Sequence, residues 1–292
     1  MNRLISPQYL SVMAKPLFAF LFFLLFVTTA GAQTTLTILH SNDTHSCILP
    51  LKSGLSDTLL AGRGGYIRRA TLIRQERALT PNLLLFDSGD FSQGSPYYTM
   101  FMGDVEVQLM NEMGYDAATI GNHEFDFGLD NMARIFRMAR FPIICSNYDF
   151  KDTELAAIVR PWHVIERQGL RIGLFALCPN PEGLVLRKNY GPIEFLDPIE
   201  VAQRMIDLLR NEQHCDLVIC LSHLGWQVTD YPCDSVIPKT RGLDLVLDGH
   251  SHTYMRHLEY VNDLDAHPVP VDQNGKHGAF ISRLTLEVEK KK

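Results

Sequence analysis

The sequence predicts an α/β fold, and two observations carry that prediction. Short β-rich runs alternate with helical patterns along the chain. Five of the runs also lead within a few residues to Asp, Asn or His. Leu36-Thr-Ile-Leu39 leads to Asp43 and His45, and Leu83-Leu-Leu-Phe86 to Asp87 and Asp90. Ala117-Ala-Thr-Ile120 leads to Gly121-Asn122-His123-Glu124. Leu217-Val-Ile-Cys-Leu221 leads to His223, and Leu245-Val-Leu247 to His250 and His252. Between these runs, apolar residues recur at helical spacing over residues 104–113 and 129–139. A third helix is predicted over 198–209, where Pro198 occupies the position a helix favours for proline. The last strand is predicted over 279–288. No internal repeat, low-complexity tract or long linker interrupts the pattern.

Ligands of open α/β sheets gather outside the carboxyl ends of the strands, where connecting loops are free to vary. One polar strand end means little, and each His taken singly is an ordinary loop residue. Five ends carrying Asp, Asn and His almost exclusively point to a metal site. The candidate ligands are Asp43, His45, Asp90, Asn122, His223, His250 and His252. Two divalent ions about 3.5–4 Å apart clamp the attacking and leaving oxygens of a phosphoryl transfer. Such closeness requires an anionic bridge, for which a carboxylate is suited. Imidazoles suit zinc and other transition metals, while Asp and Asn oxygens also admit manganese or magnesium. The absence of thiolate from the set disfavours a structural Cys-type zinc site. His250-Ser-His252 can serve two ions if its side chains splay to opposite sides.

In chain order, Asp43-x-His45, Gly89-Asp90, Gly121-Asn-His-Glu124, His223 and Gly249-His-Ser-His252 resemble the motifs of the calcineurin-like metallophosphoesterase superfamily. The fuller segments Leu39-His-Ser-Asn-Asp-Thr-His45, Gly89-Asp-Phe-Ser-Gln-Gly94 and Gly121-Asn-His-Glu-Phe-Asp126 resemble its 5′-nucleotidase/UDP-sugar hydrolase branch more closely. The resemblance runs from Leu36 to the last predicted strand. It implies two β-sheets packed face to face and flanked by helices, a four-layer α/β/β/α metallophosphoesterase fold. It further implies that Asp43, His45, Asp90 and His252 hold one metal, and that Asp90, Asn122, His223 and His250 hold the other, with Asp90 bridging. His123 is similar to the family's catalytic His and Asp126 to its orienting partner. A carboxylate three residues on can fix the imidazole tautomer and favour the cation. Asp126 also reads as the start of the following helix. The implied cofactors are two divalent ions, with zinc, manganese or cobalt favoured and magnesium admissible.

The implied activity is hydrolysis of phosphate esters by in-line attack of a metal-bound hydroxide, with nucleoside 5′-monophosphates the leading substrates. UDP-sugars, 2′,3′-cyclic nucleotides and general phosphomonoesters are the alternatives within enzymes. A non-catalytic metal-binding subunit is the alternative outside them. The His123/Asp126 pair speaks against that last reading, because a structural site needs no catalytic acid. Branch members continue into a C-terminal domain whose aromatic rings and arginines grip the nucleotide. No comparable segment with paired stacking aromatics is recognisable here, so a separately encoded nucleotide-binding domain is an expected partner.

Arg3 and Lys15 precede an apolar run over 17–27, followed by Ala30-Gly-Ala32. This reads as a secretory signal cleaved after Ala32, with Met13 as an alternative start. Eleven apolar residues fall well short of the roughly 20 that span a bilayer. The product is expected to be periplasmic or secreted, with residues 33–292 forming one metallophosphoesterase domain. That part carries 25 basic and 33 acidic residues, a net charge of −8. An acidic chain has no general attraction for a nucleic-acid polymer, so phosphate binding needs a local positive centre such as metal ions. Six Cys permit disulfides without fixing their connectivity, and Cys145 and Cys178 read as buried thiols. Asn42-Asp-Thr44 is formally a glycosylation sequon but overlaps the metal motif. His40 reads as structural. His163, His214, His257, His267 and His277 belong to no recognisable constellation.

Overall fold

The computed structural model describes residues 33–228 and 230–289, so the proposed signal over 1–32 lies outside the described residues. The strands are β1 Gln33–Ser41, β2 Leu84–Asp87, β3 Ala117–Thr119, β4 Ile143–Ile144, β5 Tyr148–Asp149, β6 Trp162–Arg167 and β7 Leu170–Leu177. They continue with β8 Glu194–Phe195, β9 Leu217–Ser222, β10 Leu245–Leu247, β11 Glu259–Asn262, β12 Pro268–Asp272 and β13 Ser282–Glu289. The α-helices are α1 Tyr66–Leu79, α2 Pro96–Phe101, α3 Asp104–Met113, α4 Gly128–Phe136, α5 Arg187–Tyr190, α6 Pro198–Asp207 and α7 Cys233–Val236.

One sheet has the order β13-β1-β2-β3-β4 and the other β11-β12-β10-β9-β7-β6, with β5 and β8 forming a small pair. The period-2 alternation of each strand decides which residues meet. Leu36, Ile38, Leu84 and Phe86 of the first sheet pack with Ile172, Leu174, Ile219, Leu221 and Leu245 of the second. Leu39, Leu83 and Leu85 turn the other way, onto Ile73, Val107, Met110 and Ile135 of α1, α3 and α4. Phe175, Val218, Cys220 and Val246 face Val201, Met205 and Ile206 of α6. The result is the expected pair of facing sheets flanked by helices. Because both faces of the central strands are covered, they read as continuous apolar runs. Burial of those runs is the main stabilising term.

Helix α3 spans the residues predicted for it. The helix predicted over 129–139 is α4, which ends at Phe136 before the chain turns toward β4. The one predicted over 198–209 is α6, where Asp197 caps the Ile199 and Glu200 amides and a π-turn over Leu208–Glu212 follows. The final strand starts at Ser282 rather than 279. The sequence reading missed α1, which buries only Arg69 and Ile73 and so carries no apolar stripe. It also missed the β6–β7 hairpin, whose turn places Gln168 and Gly169 at positive φ, a primed-type turn made without its usual Asn or Asp. All six Cys are buried free thiols.

Candidate metal centre

The loops leaving β1 and β2 continue the strand pairing beyond the sheet. Asp43, His45 and Ser46 donate their backbone amides to the carbonyls of Gly89, Asp90 and Phe91 at 2.9–3.0 Å. The β3 loop joins through the His123 amide, which donates to Asp90 Oδ1 at 2.9 Å. The second sheet is tied in where the His250 amide donates to Asp43 Oδ2 at 2.9 Å. Five strand ends from two sheets therefore converge on one point. Close approach demands glycine there: a Cβ on Gly121 would lie 2.2 Å from Asp90 Oδ1, and one on Gly249 2.9 Å from His223 Nδ1. Asp43, His45, Asp90, His250 and His252 all adopt left-handed backbone conformations, with φ of 43–74°. L-residues adopt this region at a cost, and such strain concentrates at functional sites.

The side chains then form three tight groups. Asp43, His45 and His252 make one; His45, Asp90 and His123 another; Asp90, His223 and His250 the third, with ligand atoms within 4.8 Å of one another in each. Asp90 thus belongs to two of them. His223 donates from Nδ1 to the Ser88 carbonyl at 2.5 Å, which directs Nε2 at Asp90 Oδ2, 3.2 Å away. His45 and His252 point their Nε2 atoms at each other at 2.9 Å, and each lies within 3.7 Å of Asp43 Oδ1. Asp43 Oδ1, His45 Nδ1, Asn122 Oδ1 and His223 Nε2 are buried without a hydrogen-bond partner. Buried polar atoms are normally paired, so four orphans on four candidate ligands fit a cation held between them.

Electrostatics agree. Burial, with His223 next, pushes the His250 pKa down to about 4, and burial also lowers that of His45, leaving both imidazoles neutral as ligands must be. Burial opposes ionisation of Asp90, yet the charge of the adjacent His223 holds its carboxyl well below the usual range. The same pairing overrides burial and raises the His223 pKa. The field that attracts a proton to His223 would attract a divalent ion more strongly, displacing that proton.

His123 stands at the edge of the centre, its ring 5.5 Å from that of His45. Its Nδ1 lies 3.2 Å from Asp126 Oδ2, and both side chains are about one-third exposed. Burial lowers the His123 pKa, but the Asp126 hydrogen bond and the Asp90 charge outweigh it, so the net shift is upward. Asp126 does not cap α4, whose N-terminus has no side-chain cap.

Glu124, to which the sequence alone assigns no role, is fully buried. Its Oε2 accepts from the amides of Asp90 (3.0 Å) and Gly121 (2.6 Å), and its Oε1 from that of Ser92 (3.0 Å). Its place directly after His123 was the available signal.

Residues 36–254 match the family described as calcineurin-like phosphoesterase. This chain belongs to that family. Human 5′-nucleotidase is 29% identical over 281 residues, covering 90% of this chain and 48% of its own length. The trifunctional nucleotide phosphoesterase protein YfkN of Bacillus subtilis is 29% identical, over 88% of this chain and 18% of its own length. Among solved structures, the 5′-nucleotidase precursor of Thermus thermophilus superposes with a TM-score of 0.77 at 29% identity, covering 86% of this chain and 51% of its own. The chain spans about half the length of the 5′-nucleotidases it matches.

Within this calcineurin-like frame, other residues gain a place. His277, assigned to no constellation from sequence, puts its ring 5.7 Å from that of His45, and its amide donates to the Asp43 carbonyl at 2.7 Å. No flanking motif marks it, so only the fold reveals it. His40 is buried between Asp272 (2.6 Å) and Ser88 (3.0 Å), the structural setting expected of it. Asn42 is buried and bonds Asp43, Gly275 and the Asn274 amide, which excludes glycosylation of the folded chain. A stacked aromatic pair, unanticipated from sequence, does exist. Tyr254 and Phe280 lie 4.0 Å apart with Arg63 over Phe280, so their inner faces are filled by each other.

Proposed function

We propose that this chain is a dinuclear metal-dependent phosphomonoesterase whose leading substrates are nucleoside 5′-monophosphates. The four orphaned buried atoms on Asp43, His45, Asn122 and His223 carry the metal part of this reading. Asp43, His45, Asp90 and His252 would hold one ion, and Asp90, Asn122, His223 and His250 the other. Two divalent ions, when bound, neutralise phosphoryl oxygens and lower the pKa of water.

The chain's own groups supply the rest. Asp126 accepts from His123 Nδ1 and favours the imidazolium, in which Nε2 also holds a proton, free to face the substrate. From there His123 donates to the developing negative charge or the leaving oxygen, as a general acid does. Glu124 keeps the Asp90 and Gly121 amides in place, so His123 and Asp90 stay in register. The nucleotide preference is supported by the names of the relatives. A nucleotide-gripping domain carried on another chain would add affinity without altering these steps. The reading includes export, which the 1–32 segment supports.

The test is metal removal. Chelator should abolish phosphate release from AMP, and manganese, zinc or cobalt should restore it, since the mixed His/carboxylate set suits all three. Asp90→Asn should be the most damaging ligand change. Full turnover by that variant with two ions per chain would defeat the assignment.

A further inference from the structure

A cavity of about 290 Å³ opens beside the second sheet, lined by Asn180, Glu182, Leu184, Leu224, Asp230 and Tyr231 among others. The metal centre uses none of these side chains. The fold nevertheless sets the cavity against that centre. The His223 amide donates to the Leu177 carbonyl at 2.8 Å, so the loop leaving β7 toward Asn180 runs alongside the end of β9. Leu224 directly follows His223. Gly225 packs on His250 closely enough that a Cβ there would lie 3.4 Å from His250 Cδ2. Of the two candidate ligands of one ion, His223 therefore adjoins the lining residue Leu224, and His250 packs on Gly225, the next residue along.

Its volume is near the lower end for small-molecule sites, which mix apolar walls with a few placed polar groups. Leu224 forms a buried apolar floor, and Tyr231 offers a ring. Asn180 Oδ1 accepts the Glu182 amide at 3.1 Å, which leaves Nδ2 as a donor for a ligand. No Lys or Arg is among the lining residues, and the charged groups are Glu182 and Asp230. Ionised carboxylates only accept hydrogen bonds, so they suit hydroxyl donors and repel a further phosphate. A purely apolar leaving group would waste them, and an anionic one would be rejected by them.

We propose that this cavity is the leaving-group subsite and is built for an uncharged nucleoside, which rests on the phosphomonoesterase reading above. The base lies against Tyr231, and the ribose hydroxyls donate to Glu182 and Asp230. AMP is then preferred over ADP and over UDP-sugars, whose leaving groups carry phosphate of their own.

Adenosine, which cannot be hydrolysed, is the probe, titrated calorimetrically into the full chain with its metals bound. Adenosine should bind, and Tyr231→Ala should weaken it at least about fivefold, the effect of losing a stacked base. Tyr231→Phe should retain most of the affinity because the ring remains. Glu182→Gln with Asp230→Asn, at two exposed positions outside the packed core, should weaken adenosine more than 2′,3′-dideoxyadenosine. Absence of adenosine binding, or equal binding by wild type and every variant, would overturn the subsite even if AMP is hydrolysed. Pocket-dependent adenosine binding without phosphate release from AMP would leave the subsite standing and remove the hydrolase reading.

Discussion

His123 and Asp87 show how single side chains at this centre can be tested. If His123 acts only in the transition state, His123→Asn should lower kcat by about 10²–10⁴-fold, the usual span for general acid–base catalysis, with both metals retained. Asp126→Asn should cost less, because the imidazole remains and only its orientation suffers. His123 also falls in one of the three ligand groups, so metal analysis of the variant is decisive. Loss of metal with unchanged turnover per metallated enzyme would make His123 a ligand. Asp87 supplies a pH test that avoids the ligands. Burial pushes its carboxyl up to about 7, against the hydrogen bond from Ser41 Oγ at 2.7 Å. From about pH 4 to pH 7 the native state holds a proton that the unfolded chain has released, so stability falls as pH rises through that window. Asp87→Asn removes this contribution, on the order of a few kcal/mol. In chelator, its urea midpoint should match wild type near pH 4 and exceed it at pH 8. A difference between the two proteins that does not change with pH would show that Asp87 ionises freely in the fold.

At the scale of elements, the loops after β2 and β3 form one unit, locked by Glu124 and by the contact of Gly121 with Asp90. Gly121→Ala would place a methyl 2.6 Å from the Asp90 backbone nitrogen, where neither backbone can yield cheaply. Overpacking of this kind costs roughly 1–3 kcal/mol. Because Asp90 is shared between two ligand groups, metal content should fall for both ions together. A variant with wild-type urea midpoint and two tightly held metals would show that the loops are looser than this packing implies. These loops were legible in the sequence because each metal-type residue lies within a few residues of the end of an apolar strand run. The elements that position them were less so. Helix α1 contacts the core through too few side chains to leave a periodic signal, and the β6–β7 turn lacks its favoured residues. Glu124 and His277 were missed for another reason: their partners are backbone amides and rings brought close only by folding. The left-handed conformations of Asp43, His45, Asp90, His250 and His252 have no sequence signature either, since none is glycine.

For the molecule as a whole, the centre lies at the joint carboxyl ends of both sheets, with the proposed nucleoside cavity on one side. Export is tested by N-terminal sequencing from the native host, which should give Gln33; an intact Met1 or Met13 in a membrane fraction would refute cleavage. The affinity of the chain alone follows from its geometry. The cavity offers one aromatic face, Tyr231, and the stacked pair of Tyr254 and Phe280, which does not line it, is closed on itself. Stacking on a further ring contributes roughly 1–3 kcal/mol per base. Its absence should weaken nucleotide binding by about 5–150-fold, since 1.4 kcal/mol is tenfold. Stacking is also tolerant of base identity, because every base has a flat face. The isolated chain should therefore hydrolyse AMP, GMP, CMP and UMP with high and similar KM. A separately produced domain bearing a second stacking surface should lower KM while leaving kcat nearly constant, because it adds uniform binding. Steady-state kinetics on the four nucleotides, with and without such a domain, decide the matter. A low-micromolar KM for one of them, with strong rejection of the rest, would show that this chain discriminates bases unaided and needs no partner.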